Sequence, residues 1–184
     1  MTIQTKGIFL AIISAICYGT NPLGALMLYG EGLNVNSVIF YRFSFAIIAL
    51  FIFMIFLKIS FKLNFKQLII LMFLGFLFGV SALSLFNSFL HMDAGLASTI
   101  LFTYPIFVAI LMTIFFKEKN SIITTLSIIF AFLGVILLYK GDGANISSFG
   151  VFLVFVSSLC YAVYIVIINQ YLKMKKLLLL SIFA

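Results

Sequence analysis

Read from its amino terminus, the chain alternates long apolar stretches with short polar ones. Six of the stretches approach the roughly 20 residues that a helix needs to cross about 30 Å of hydrocarbon. They run from about 7 to 28, 38 to 57, 68 to 90, 95 to 116, 121 to 139 and 149 to 172. Each is continuously apolar and lacks the in-and-out alternation of a membrane barrel strand, so the expected elements are helices. After Lys176 the chain closes on Leu177 to Ala184, apolar again, but its helical rise of about 12 Å at 1.5 Å per residue cannot cross a bilayer. The pattern therefore predicts an all-α integral membrane protein with six transmembrane helices and a truncated seventh.

Composition excludes the soluble alternative. Hydrophobic residues make up 65% of the 184 and charged residues 8%, where a soluble domain carries about 45–50% and about 25%. The net charge of +7 does not point to nucleic acid, because the basic residues fall singly or in small groups between apolar runs, with no stripe along one face. Their distribution instead sets an orientation. With the amino terminus in the cytoplasm, the inner segments hold Lys6, then Lys58, Lys62 and Lys66, then Lys117 and Lys119, then Lys173, Lys175 and Lys176, and the outer loops hold Lys140 alone. Positive loops stay inside, so the expected location is the plasma or inner membrane, multipass, with a cytoplasmic amino terminus. The first run passes the length of a signal-peptide core and lacks a small-residue cleavage site, so it is expected to persist as a span.

Cys17 and Cys160 each lie within an apolar run, which does not indicate a disulfide framework. No phosphate-binding glycine loop, paired-histidine zinc motif or C-x-x-C is present, and no nucleophile and base fall together within the spans. No cofactor, metal site or catalytic residue is expected, and the chain does not read as an enzyme.

Gly7 laid on Gly150 aligns G-I-F-L-A-I-I-S-A-I-C-Y with G-V-F-L-V-F-V-S-S-L-C-Y, identical at Gly, Phe, Leu, Ser, Cys and Tyr. An odd number of spans separates the two segments, so the second must cross in the opposite sense, as in an inverted-topology repeat. Two complete units would run to about 290 residues by extrapolation of the period. With this repeat in view, the chain resembles the EamA-type domain of the drug/metabolite transporter superfamily. The matching features are Tyr18-Gly19-Thr20-Asn21 in span 1 and Arg42 early in span 2. They continue with Asn87 through Ala94, Ala97 and Pro105 to Glu118, and end with Gly134-Val135 in span 5. Tyr18 stands where the family usually has Trp. The resemblance implies a ten-helix carrier of two inverted five-helix units, with residues 1–143 as the first unit and 144–184 as the incomplete start of the second. No acidic residue lies in a predicted span, which separates the chain from the small multidrug-resistance proteins, with their first-helix glutamate.

Polar side chains inside spans are costly and so informative. On span 3, Ser81, Ser84, Asn87, Ser88 and His91 share one face; on span 1, Ser14, Cys17, Tyr18 and Asn21 do so, as do their repeat mates Ser157, Cys160, Tyr161 and Tyr164 on span 6. They either line a polar, aromatic cavity or join neighbouring helices. The candidates for a solute cavity are Tyr18, Asn21, Arg42, Asn87, His91, Tyr104, Tyr161 and Tyr164. Pro22 and Pro105 sit inside spans and are expected to break their helices, freeing the carbonyls of Tyr18 and Leu101. Arg42 demands compensation, either from Asp93 or Glu31 at the outer side or from an anionic group of a solute. Asp93 and Glu118 are expected at the interfaces, Glu118 as part of a solvated cluster with Lys117 and Lys119 that fixes topology. Gly75-x-x-x-Gly79 and Ala11-x-x-x-Ala15-x-x-x-Gly19 read as packing motifs.

The function expected is a secondary transporter, a permease or exporter, of small organic metabolites such as amino acids or drugs, working by alternating access. Its partners are a small-molecule solute and the lipid bilayer. The alternative is a truncated membrane subunit or paralogue that does not transport and only packs or oligomerises, with a homodimer expected if the chain is naturally this short.

Overall fold

The structure is a computed structural model that describes residues 3–58, 64–117, 126, 129–130, 133–134 and 147–174. Seven helices are assigned over them: α1 (Ile3–Gly19), α2 (Asn21–Gly30), α3 (Val35–Phe56), α4 (Phe65–Ser88), α5 (Ala94–Leu101), α6 (Tyr104–Phe116) and α7 (Ser148–Met174). Five stretches are long and apolar enough to cross a membrane: Gly7–Gly30, Val35–Phe56, Phe65–Ser88, Ala94–Phe116 and Ser148–Gln170. No β-strand occurs among the described residues. The expected span over 121–139 lies outside the described residues apart from isolated positions, as do Glu118 and the apolar segment after Lys176.

The first and fourth spans are each two helices, and the sequence says why. Both interruptions read Thr-x-Pro, Thr20-Asn21-Pro22 and Thr103-Tyr104-Pro105, and each proline falls in the first turn of the following helix. There its missing amide proton leaves no vacancy, whereas continuing the preceding helix would press the ring against the carbonyl four residues back. The freed carbonyl of Leu101 accepts from Ser158 Oγ at 3.3 Å, and Thr20 Oγ1 donates to the Cys17 carbonyl at 2.8 Å.

Side chains close the starts of α3 and α4. Asn34 Oδ1 accepts from the Ser37 amide at 2.8 Å, and Asn64 forms a capping box in which its amide donates to Gln67 Oε1 at 2.9 Å; each satisfies amides that have no partner within the helix. The α2–α3 turn passes through Gly32 at φ +83°, a conformation without steric cost only for glycine.

α7 packs chiefly against α4, then α6 and α5. Its buried residues include Gly150, Val154, Ser157, Ser158 and Ala162, small enough to let helices close. Ser81 Oγ lies 3.0 Å from both the carbonyl and the Oγ of Ser157, and Ser157 Oγ donates to the Ser81 carbonyl at 2.7 Å. Thr103 Oγ1 and Ser158 Oγ share a further bond at 3.0 Å. His91 meets Phe149, Ser81 meets Ser157 and Phe78 meets Tyr164, so α4 and α7 run antiparallel. Where the start of α7 meets the end of α4, a Cβ on Gly150 would lie 3.2 Å from His91 Cβ and from Met92 Cγ and Sδ.

Among the described residues, a Cβ at Gly19, Gly75 or Gly79 would meet nothing within 4 Å. A small-xxx-small spacing marks where backbones can approach, and the approach itself depends on a neighbour that the pattern does not specify. The outside of the bundle is apolar, with Phe56 80% and Phe65 77% exposed. In water such a surface would be a liability; in hydrocarbon it faces its own solvent.

Candidate functional site

Arg42 lies about two turns inside α3 from Val35. The carboxylate pairing expected for it is not what the structure shows. Asp93 is the N-cap of α5, its Oδ1 accepting from the Leu96 amide at 3.1 Å, and among the described residues neither it nor Glu31 forms an ion pair with Arg42. The guanidinium instead meets the Asn21 side chain. An amide nitrogen turned toward it would set donor against donor, so the amide is oriented with its oxygen there, accepting from Nη1 at 3.0 Å and Nη2 at 2.9 Å. The other face of the guanidinium lies over the Phe86 ring, 5.2 Å from its centroid, and Phe43 is at 5.9 Å, distances within cation–π range. The Asp93 expectation failed because a residue at a helix start is held first by its own backbone amides.

Asn21 is placed by the break in span 1. It opens α2 directly after Thr20, so its side chain leaves the helix at the point where the axis is interrupted. Two cavities meet at Asn21 and Phe86. One, of about 180 Å³, lies between the two helix breaks, walled by Tyr18, Gly19 and Pro22 on one side, Ser98, Leu101 and Phe102 on the other, with α4 behind. The second, of about 510 Å³, carries Thr20, Gly24, Tyr41 and Arg42 in its wall and falls within the roughly 300–1,000 Å³ of small-molecule sites.

An aromatic cluster adjoins the smaller cavity. Tyr104, which opens α6, meets Tyr161 edge to face at 4.9 Å and Phe102 at 6.4 Å. Tyr161 stacks on Tyr164 at 5.9 Å, and Phe78 closes the cluster at 5.4 Å from Tyr164. Tyr18 lies close enough to Arg42 and Tyr104 to interact with both electrostatically, as Tyr161 does with Tyr18. The repeat-matched tyrosines, Tyr18 and Tyr161, thus belong to one neighbourhood.

Tyr18, Asn21 and Pro22 line the smaller cavity, Asn21 and Arg42 the larger, and Tyr104, Tyr161 and Tyr164 form the aromatic cluster beside them. Asn87 and His91 line neither cavity. Asn87 Nδ2 donates to the Leu83 carbonyl at 2.7 Å, and His91 sits edge-on to Phe149 at 5.1 Å beyond the end of α4. The span 3 stripe faces α7 through Ser81, and Ser88 bonds its own helix at Leu85. Phe86, central to the site, carried no signal in the sequence, being one Phe among 24. Among the described residues no group of three His, Cys, Asp or Glu could hold a metal ion.

Several helices long and apolar enough to cross a membrane, two of the stretches interrupted at prolines beside an aromatic-lined cavity, describe a multipass membrane protein. The chain belongs to the EamA-like transporter family, which matches residues 5–140, and so to the drug/metabolite transporter superfamily. It is similar to an uncharacterized transporter of Archaeoglobus fulgidus, 36% identical over 94 residues. That match takes in 48% of this chain and 33% of the relative, so the matched segment spans about a third of the curated relative's length. No solved structure matches the chain.

Proposed function

We propose that the chain is part of a secondary carrier of small organic metabolites, such as amino acids or drugs, that works by alternating access in the plasma or inner membrane with its amino terminus in the cytoplasm. Residues 1–143 form the first five-helix unit, with the fifth span over 121–139 completing the count, and 144–184 begin a second, inverted unit. The solute sits among Tyr18, Asn21, Arg42, Tyr104, Tyr161 and Tyr164.

One observation carries the reading. Tyr18 and Tyr161, equivalent in the internal repeat, come into electrostatic reach of each other beside a cavity that both proline breaks border. Inverted-repeat carriers place their site at the interface of the units, with interrupted helices around it. The antiparallel course of α7 against α4 and the lysine asymmetry support the same arrangement. The test is uptake and efflux of a metabolite library in cells stripped of endogenous carriers, with the natural gene product and its Asn21→Leu variant. A solute whose flux rises with the protein and falls with the variant at equal membrane abundance supports the assignment. A library in which no flux exceeds that of the empty membrane contradicts it.

A further inference from the structure

Arg42 holds a full positive charge under all relevant conditions, and among the described residues it does so inside a membrane span without an ion-pair partner. Of the chain's acids, Glu31, Asp93, Glu118 and Asp142, none falls within the five membrane-spanning stretches, and Asp93 is held at the start of α5. Asn21 and Phe86 solvate the guanidinium, but an amide oxygen and a ring face carry no net charge to cancel it. A cation at this depth is costly unless paired or wet.

Arg42 and Asn21 stand in the wall of the larger cavity. Beyond Asn21 and Phe86, which the two cavities share, the wall turns apolar and aromatic, through Phe89, Leu101 and Phe102. Charge at one end and an apolar wall at the other describe a ligand with the same division.

Resting on the carrier reading above, we infer that the site takes an oxyanion at Arg42, and that this oxyanion is the carboxylate of a small organic acid whose apolar or aromatic body lies against Phe86 and Phe102. The guanidinium has five N–H donors in a fixed fork, and Asn21 takes up one edge, which leaves donors for the carboxylate. A lipid phosphate is the other source of an oxyanion. Arg42 lies about two turns below the start of α3, deeper than a headgroup sits, which favours the solute.

The test uses the natural gene product in nanodiscs of phosphatidylcholine, titrated calorimetrically with C3 to C9 monocarboxylates, each beside its primary amide. At least one acid should bind about tenfold or more tightly than its amide, the size of effect expected of a charge-assisted pair. Arg42→Gln should erase that preference while the amide still binds, and Arg42→Lys, which keeps the charge and loses the fork, should restore part of it. Acids and amides that bind alike throughout the panel, or a preference that survives Arg42→Gln, overturn the inference. Stabilisation by phosphatidylglycerol that depends on Arg42, with no carboxylate preference, assigns the oxyanion to lipid and overturns it too. Transport is scored separately. A carboxylate that binds through Arg42 but is not carried leaves the oxyanion site standing and removes the carrier, and a carried solute with no Arg42-dependent acid preference does the reverse.

Discussion

The contact between Ser81 and Ser157 can be removed with little change in volume, which makes it a direct probe of how α7 is held. Each hydroxyl has one proton. With Ser157 Oγ donating to the Ser81 carbonyl at 2.7 Å and Ser81 Oγ donating to the Ser157 carbonyl at 3.0 Å, two interhelical bonds exist at a time, and the 3.0 Å contact between the hydroxyls is a close approach rather than a third bond. Interhelical hydrogen bonds in membranes are worth about 0.6 kcal/mol on average and about 1.7 kcal/mol at most. The pair therefore contributes about 1 to 3 kcal/mol. Ser81→Ala with Ser157→Ala should lower the unfolding free energy by that amount, measured by reversible unfolding in mixed micelles, with each single change costing about half. Ser157→Leu should cost more than the double alanine variant, because the position is 0% exposed and overpacking drives the helices apart. A double alanine variant within about 0.3 kcal/mol of the parent, below even one average bond, would refute the idea that these serines fasten α7 to α4.

Three further outcomes are expected. Cysteines introduced at 58–66 or 117–120 should resist an impermeant thiol reagent applied from outside, and cysteines at 31–35 should react; outside labelling near Lys62 would reverse the orientation. Gly150→Val should lower thermal stability in detergent by about 1 to 3 kcal/mol of overpacking, since its Cβ would arrive 3.2 Å from His91 and Met92, and an unchanged melting profile would show that this end of α7 has slack. Asn34→Ala should cost about 0.5 to 2 kcal/mol through loss of the α3 cap, with Asn34→Ser recovering most of it.

Five of the six expected spans were legible because a bilayer demands long apolar runs and little else, and the breaks were legible because proline acts on its own helix. Arg42 was legible as a charge in need of a partner, but its partner was not. A shared side of the membrane pointed to Asp93 or Glu31, and only the break at Thr20 turns Asn21 toward α3. The serine stripe of span 3 was found by angle alone, and angle gives a face without saying whether a cavity or another helix lies opposite; for Ser81 it is α7. Phe78 and Phe86 were invisible because aromatic residues in a span of lipid-soluble sequence look alike until the packing is known. Gly75 and Gly79 show the converse, a familiar spacing with nothing against it among the described residues.

Solute counterflow tests the central claim most directly. The natural gene product, with any sequence that follows Ala184, is reconstituted in proteoliposomes preloaded with an unlabelled solute identified by screening, and uptake of the labelled solute is followed with time. A carrier that alternates access predicts a transient overshoot that saturates with solute and is lost in Tyr161→Ala at unchanged folding. Uptake that rises linearly with concentration, shows no overshoot and is indifferent to Tyr161 would contradict the account.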